Sequence, residues 1–180
     1  MRTLTVKKGG GGSFHPGWNT TTIQRAEYGT YNGTKFIDVW FDGFPESLNM
    51  RIYETHNKEG EEFAVGQLFR FANAGIVEGL EGPDGNMVVK LSDEPENLNG
   101  CTLNIYLYKD GDYLRVLKQA APTVFDNAVD SFTTDDISFW QKKAEAYYHK
   151  FVLKNDTNGM PTGNDLPLAV QSGPAEEVPF

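Results

Sequence analysis

Two aromatic side chains share one face in the clearest strand pattern of the chain. Ile37, Val39 and Phe41 occupy alternate positions of one segment, and Phe36, Asp38 and Trp40 occupy the other alternate positions. Successive side chains of a strand point to opposite faces, so Phe36 and Trp40 share the outer face if the other set forms a core. A ring on an outer face offers a flat surface on which a nucleic-acid base can stack.

The same alternation places further aromatic and cationic side chains on the outer faces of neighbouring predicted strands. The full set of candidates is Lys35, Phe36, Trp40, Arg51, Tyr53, Tyr106, Tyr108, Arg115 and Lys118. Every base has a π-face, and stacking is worth about 1–3 kcal/mol per base with little regard to sequence. Lysine and arginine neutralise phosphates. The pattern therefore predicts that the aromatic candidates stack on the bases of single-stranded DNA and that the cationic ones contact its phosphates.

A second interpretation of these rings is structural. Aromatic residues have a high β-propensity, and they could also pack beneath a C-terminal helix. One helix cannot cover three or four strands, so we expect this interpretation to hold for some of the rings and not for all.

Groups that carry out acid–base, nucleophilic or metal chemistry are scattered along the chain. His15, His56 and His149 lie in different predicted elements, without the spacing of metal ligands. Acidic pairs stand at the predicted starts of helices, where they complement the positive end of the helix dipole: Glu61, Glu62, Asp135 and Asp136. The sequence therefore predicts a protein that is not an enzyme and that has no metal site and no cofactor.

The elements that would position the candidates are three strands, one helix, two strands and a second helix. We predict strands at 18–28, 35–41 and 48–53, a helix from 61 to about 75, a short apolar piece at 87–89, strands at 101–108 and 113–118, and a helix from about 134 to 151. Thr133 or Thr134 can cap the second helix. Trp140 lies on the apolar stripe of that helix, so we expect its fluorescence to respond little to DNA.

The predicted fold class is mainly β with α. Three strands, a helix between strands 3 and 4, and a closing hairpin give a five-stranded OB-fold-like barrel, a fold that commonly binds oligonucleotides. A C-terminal helix and a disordered tail follow the barrel. An antiparallel α+β sheet or another small barrel would give the same order of elements.

Charge is distributed unevenly along the 180 residues. The 16 basic and 25 acidic residues give a net charge of −9, which by itself argues against nucleic acid. Residues 155–180 hold four of the acidic residues and no lysine or arginine, whereas the first 36 residues carry a net charge of +4. The acidic segment buries too little apolar surface to offset its ordering entropy, so we predict a disordered tail.

Composition divides the chain into four regions. Residues 1–13 form a flexible, basic, glycine-rich arm, 14–122 the OB-fold domain, 123–154 a helical extension and 155–180 the acidic tail. The sequence has no apolar run of membrane-spanning length and no apolar signal-peptide core. A lone cysteine, Cys101, fits a reducing compartment. We therefore expect a cytoplasmic protein without membrane contact, in the host cytoplasm if the chain is viral.

Two stretches of the sequence resemble known DNA-binding proteins. The last five residues, Glu176-Glu177-Val178-Pro179-Phe180, are similar to the acidic tip of bacterial single-stranded DNA-binding proteins, which ends in an aliphatic residue, Pro and Phe. The tip has Glu in place of Asp and fewer acidic residues than that family. Residues 14–120 resemble the bacteriophage-encoded single-stranded DNA-binding proteins through Pro16-Gly17-Trp18, Ala26-Glu27-Tyr28-Gly29 and Gly33-Thr34-Lys35-Phe36-Ile37-Asp38-Val39-Trp40-Phe41.

The resemblance implies that the domain binds and protects single strands during phage DNA replication and recombination. It also implies that the tip, Glu176 to Phe180, recruits replication or recombination proteins. The sequence leaves a homo-oligomer open. The alternative is an OB-like structural or protein-interaction module with no nucleic-acid role, whose aromatic face binds protein. The salt dependence of binding distinguishes the two functions. Affinity that depends on phosphate contacts falls steeply as the salt concentration rises, whereas affinity of an apolar protein interface does not.

Overall fold

The computed structural model describes residue 3, residues 14–127 and residues 129–153. Its strands are β1 (Gly17–Tyr31), β2 (Thr34–Phe41), β3 (Met50–Tyr53), β4 (Ile76–Glu81), β5 (Met87–Leu91), β6 (Thr102–Asp110), β7 (Tyr113–Val116), β8 (Phe125–Asp126) and β9 (Ser131–Phe132). Its helices are α1 (Ala64–Phe71) and α2 (Thr134–Tyr147), and a π-helical segment follows at Tyr148–Leu153. The predicted acidic tail, and all of the predicted arm except residue 3, lie outside the described residues.

Five strands form one antiparallel sheet in the order β3-β2-β1-β6-β7. The long strand β1 belongs to two ladders. Its second half pairs with β2, with Tyr28 opposite Ile37, and its first half pairs with β6, with Thr20 opposite Asn104. The predicted mainly β fold, with five strands and two helices, is therefore confirmed at this level.

The sheet is not a closed barrel, so the predicted barrel is wrong in this respect. Strands β3 and β7 are the two edges of the sheet, and each has only four residues. Alternation in the sequence fixes the face that a side chain occupies, but it does not determine whether two edges pair. The edges still approach each other, since Nζ of Lys118, just after β7, lies 5.3 Å from the ring centroid of Tyr53 in β3.

The core lies on one face of the sheet. The completely buried side chains of β2 and β6 are Ile37, Val39, Leu103, Ile105 and Leu107. Helix α1 adds Leu68 and Phe69 to this core. The alternation that the sequence shows in these two strands therefore separates core from outer face, as predicted.

The acidic residues that the sequence assigns to helix starts lie just before α1 and in the first turn of α2, although α1 is shorter than the predicted helix from 61 to about 75. The Glu62 carboxylate accepts hydrogen bonds from the backbone N–H groups of Ala64, Val65 and Gly66. Thr133 and Asp136 form a reciprocal capping box at the start of α2, and the hydrogen bonds from Thr133 lower the pKa of Asp136. Among the described residues, no helix is long and apolar enough to cross a membrane.

A hairpin of β4 and β5 between α1 and β6 was missed by the sequence analysis, which predicts only a short apolar piece there. Its turn passes through Asp84 and Gly85, whose φ angles of 62° and 73° are left-handed. The hairpin exposes four large apolar side chains: Val77, Leu80, Met87 and Val88. Because neither face of the hairpin is fully buried, its sequence lacks the clean alternation that reveals a strand.

Candidate nucleic-acid interface

The outer face of β2 and β3 brings together four of the predicted site residues. The register of the two strands places Phe36 opposite Tyr53 and Asp38 opposite Arg51. Trp40 lies on the same face, further along β2, opposite Arg25 of β1. Their side chains point away from the core residues, as the alternation predicts.

Phe36 and Tyr53 are less accessible than an exposed stacking surface requires, which corrects the sequence analysis. Only 8% of Phe36 and 2% of Tyr53 is exposed. The Phe36 ring lies over Gly29 of β1, where a Cβ atom would come within 2.4 Å of the ring. A glycine at this position is therefore required for the ring to lie flat against the sheet.

Arg51 covers the Phe36 ring and is held there by an acid. Its guanidinium carbon lies 3.8 Å from the ring centroid, a cation–π distance. Its Nε and Nη2 atoms donate to both carboxylate oxygens of Asp38, at 2.8 and 2.7 Å. This fork raises the pKa of Arg51 and fixes the plane of the guanidinium, so one side of that plane faces the ring.

Trp40 carries a cation in the same way. The guanidinium carbon of Arg25 lies 3.6 Å from the Trp40 ring centroid, and Arg25 also forms ion pairs with Glu27 and Glu46. The Trp40 indole N–H donates to the backbone oxygen of Glu46 at 3.2 Å. Arg25 is not among the residues predicted from the sequence, because its place opposite Trp40 follows only from the pairing register of β1 and β2.

Lys118 completes the row from the other edge of the sheet, over the Tyr53 ring. Burial of its ammonium group, together with the positive charge of Arg51, lowers the pKa of Lys118 from 10.5 to about 8. The Tyr53 hydroxyl is buried and has no hydrogen-bond partner among the described residues. The cations Arg51 and Lys118 therefore both lie near the end of β3. Arg51 forms an ion pair with Asp38, and Lys118 has no ion pair among the described residues.

We call this surface the cation–aromatic face. It consists of Arg25, Phe36, Trp40, Arg51, Tyr53 and Lys118. Each ring is paired with one cation, and the partly exposed guanidinium groups of Arg25 and Arg51 form an outer layer over Trp40 and Phe36, whereas the Lys118 ammonium is more buried. Such a layer can hold phosphates by charge and can also stack on bases, because a guanidinium plane stacks on an aromatic base much as a ring does.

The structure places Tyr106 and Tyr108 in a different environment. Both rings are half-buried on the outer face of β6, with centroids 5.5 and 5.3 Å from that of Tyr148 in the C-terminal π-helical segment. Trp18 packs edge-on against Tyr106 and donates its indole N–H to the carboxylate of Glu145 in α2. These two tyrosines are therefore covered by the C-terminal segment, as the structural interpretation expects for some of the rings, and they are not the exposed stacking surfaces that the DNA-binding interpretation predicts.

The remaining predicted cations differ in their partners. Arg115 forms an ion pair with Asp110 across the β6–β7 hairpin. Lys35 is exposed at the start of β2 and has no ion pair among the residues that the structure describes.

The predicted partner-binding tip, Glu176, Glu177, Val178, Pro179 and Phe180, lies outside the described residues. Within residues 14–127 and 129–153, no group of three or more His, Cys, Asp or Glu side chains is placed to hold a metal ion.

No protein-family model, no curated protein and no solved structure matches the chain.

Proposed function

We propose that this protein binds and protects single-stranded DNA without strong sequence preference during phage DNA replication and recombination, and that it is not an enzyme. The observation that carries the proposal is the row of three ring–cation pairs on one sheet face: Trp40 with Arg25, Phe36 with Arg51, and Tyr53 with Lys118. Trp40 and the outer side of the Arg51 guanidinium offer stacking surfaces, and Lys118 offers a positive charge without an ion pair among the described residues; together these are the features that single-strand binding uses.

Arg51 is the centre of the proposed interface. Its side chain is 34% exposed, although Asp38 and Phe36 hold it from two sides. A base that stacks on the outer side of the guanidinium completes a sandwich of base, cation and ring. The neighbouring phosphate then lies near Lys118, whose ammonium has no ion pair among the described residues.

The topology supports an OB-type arrangement for the main sheet. The strand order β3-β2-β1-β6-β7, with α1 after β3, agrees with a partly open five-stranded Greek-key barrel. In that fold, nucleic acid binds to the second and third strands. These are the strands that carry most of the cation–aromatic face here.

We assign recruitment of replication or recombination proteins to the tip from Glu176 to Phe180. The assignment rests on the resemblance of this sequence to bacterial tips. A terminal carboxylate and one aromatic anchor suit a basic pocket on a partner. Removal of Phe180 alone should therefore abolish capture of a partner protein while leaving oligonucleotide affinity unchanged.

A protein-interaction module is the second candidate function. It is favoured by the exposed apolar side chains of the β4–β5 hairpin, among them Val77 and Met87, of which 67% and 59% are exposed. An interface of that kind would show little dependence on salt.

The deciding experiment is a titration of the full chain with a fluorescent 15-mer of oligo-dT at a series of salt concentrations. We expect affinity to fall linearly with the logarithm of salt concentration, and Arg25→Gln to weaken binding several-fold. Lys90→Gln is the matched control, because Lys90 is also a surface cation in an ion pair, with Glu78 of the hairpin. Absence of binding at low salt, or equal effects of the two variants, would contradict the proposal.

A further inference from the structure

A pocket opens beside the cation–aromatic face, between β3, α1, the segment after β7, and α2. Its volume is about 120 Å³. Apolar side chains form most of its wall, including Ile52, Leu68, Phe71 and Trp140. A dry cavity of about 150 Å³ accommodates benzene, so a pocket of this size is closer to one six-membered ring than to two fused rings.

The polar groups of the pocket are mainly donors. Gln67 lines the pocket, and its Nε2 atom is buried without a hydrogen-bond partner. Its Oε1 atom accepts a hydrogen bond from Arg70 at 3.5 Å, so the donor end of the amide is the end that lacks a partner. A buried donor without a partner is destabilising, and a ligand with an acceptor would relieve that cost.

Two lysines add positive charge to the same pocket. Lys118 and Lys143 both line it, and neither has an ion pair among the described residues. The Lys143 ammonium lies 5.0 Å from the Trp140 ring centroid, and burial lowers the pKa of both lysines. The pocket therefore suits a ligand that combines one flat ring, a hydrogen-bond acceptor on the ring and a negative charge.

We propose that the pocket takes one pyrimidine nucleotide of the bound strand. The ring lies between the apolar side chains, a ring carbonyl accepts a hydrogen bond from Gln67 Nε2, and the phosphate contacts Lys118 and Lys143. Thymine carries two carbonyl acceptors and cytosine one, whereas a purine has two fused rings. Lys118 belongs both to the pocket and to the cation–aromatic face, so a strand on that face passes the mouth of the pocket. This inference rests on the proposed function and adds a base preference at one position.

The first test compares affinities for 15-mers of oligo-dT and oligo-dA. Because dA strands stack on themselves, the readout is the change in the dT-to-dA affinity ratio caused by a substitution. We expect Lys143→Gln and Gln67→Leu each to lower affinity for oligo-dT about fivefold or more, and Gln67→Leu also to reduce the ratio. The matched control is Lys142→Gln, since Lys142 is the exposed neighbour of Lys143 on α2. We expect the control to change affinity by roughly twofold or less.

The second test uses Trp140 as a reporter in a Trp18→Phe/Trp40→Phe variant, where it is the remaining tryptophan; the variant keeps a ring at position 40, and oligo-dT is added until anisotropy shows saturation. The pocket predicts quenching by oligo-dT, contrary to the expectation from the sequence that Trp140 responds little. If this variant binds oligo-dT by anisotropy and Trp140 emission does not change, the pocket is not occupied and the inference is wrong, while the proposed function stands. If the full chain binds no oligonucleotide at low salt, the proposed function itself is wrong.

Discussion

The two halves of the outer sheet face begin from the same sequence pattern and reach different structures. On β2 and β3, the rings of Phe36 and Trp40 are covered by Arg51 and Arg25, which lie on neighbouring strands. On β6, Tyr106 and Tyr108 are covered instead by Tyr148, which belongs to the segment after α2. Alternation thus predicts which face a ring occupies, and the elements that reach that face decide what the ring can bind.

The largest expected effect comes from breaking the centre of the cation–aromatic face. Arg51→Met leaves the carboxylate of Asp38, which is only 7% exposed, without its partner. We expect a loss of about 3 kcal/mol in the free energy of unfolding, measured by urea denaturation, because an unpaired buried charge is costly. The double variant Arg51→Met/Asp38→Leu should recover most of this stability but not the oligonucleotide affinity. Full recovery of affinity would show that Arg51 acts only in folding.

Trp40 and Tyr108 test the comparison between the two halves directly. Trp40→Ala should weaken oligo-dT binding by about 2 kcal/mol, because it removes a stacking surface together with the support of Arg25. Tyr108→Ala should leave affinity unchanged and lower the melting temperature, because its ring packs on Tyr148. Anisotropy titrations and thermal melts of both variants measure this. Equal losses of affinity would mean that the C-terminal segment moves away when DNA binds.

The salt dependence distinguishes free cations from paired ones. Lys118→Gln should reduce the magnitude of the slope of log affinity against log salt by about 0.7, the value for one phosphate contact on a single strand. Arg115→Gln should change it less, since Arg115 already neutralises Asp110. If Arg115→Gln reduces the slope more than Lys118→Gln does, the bound DNA follows the β6–β7 hairpin and not the sheet edge at β3.

The smallest expected effect is a pH dependence set by Lys118. With a pKa of about 8, Lys118 is charged at pH 7 and largely neutral at pH 9. Oligo-dT affinity should therefore be highest below pH 8 and fall above it, by at most about tenfold per pH unit for one proton. The free energy of unfolding should rise between pH 8 and 10.5. In this range the Lys118 ammonium is deprotonated in the folded protein, so its burial no longer costs free energy. Affinity in Lys118→Met should not change over pH 7–9.

The sequence predicts the parts of the fold whose signals are local. The alternation around Ile37 and Leu103 identifies β2 and β6, and the Thr133 cap locates the start of α2. The parts that it misses depend on distant partners. Tyr148 covers β6 from about 40 residues further along the chain, a distance at which periodicity carries no information. Arg25 joins the candidate site only through the register of β1 with β2.

The long strand β1 has a consequence for the order of events during synthesis. Its second half finds β2 at once through a tight turn, but its first half must wait for β6, with Thr20 and Asn104 separated by 84 residues. Contacts of such separation form slowly, and domains emerge from the ribosome at about 5–20 residues per second. A nascent chain that has passed β3 therefore presents Trp18, Thr20 and their neighbours as an unpaired strand edge for several seconds, until β6 has been synthesised.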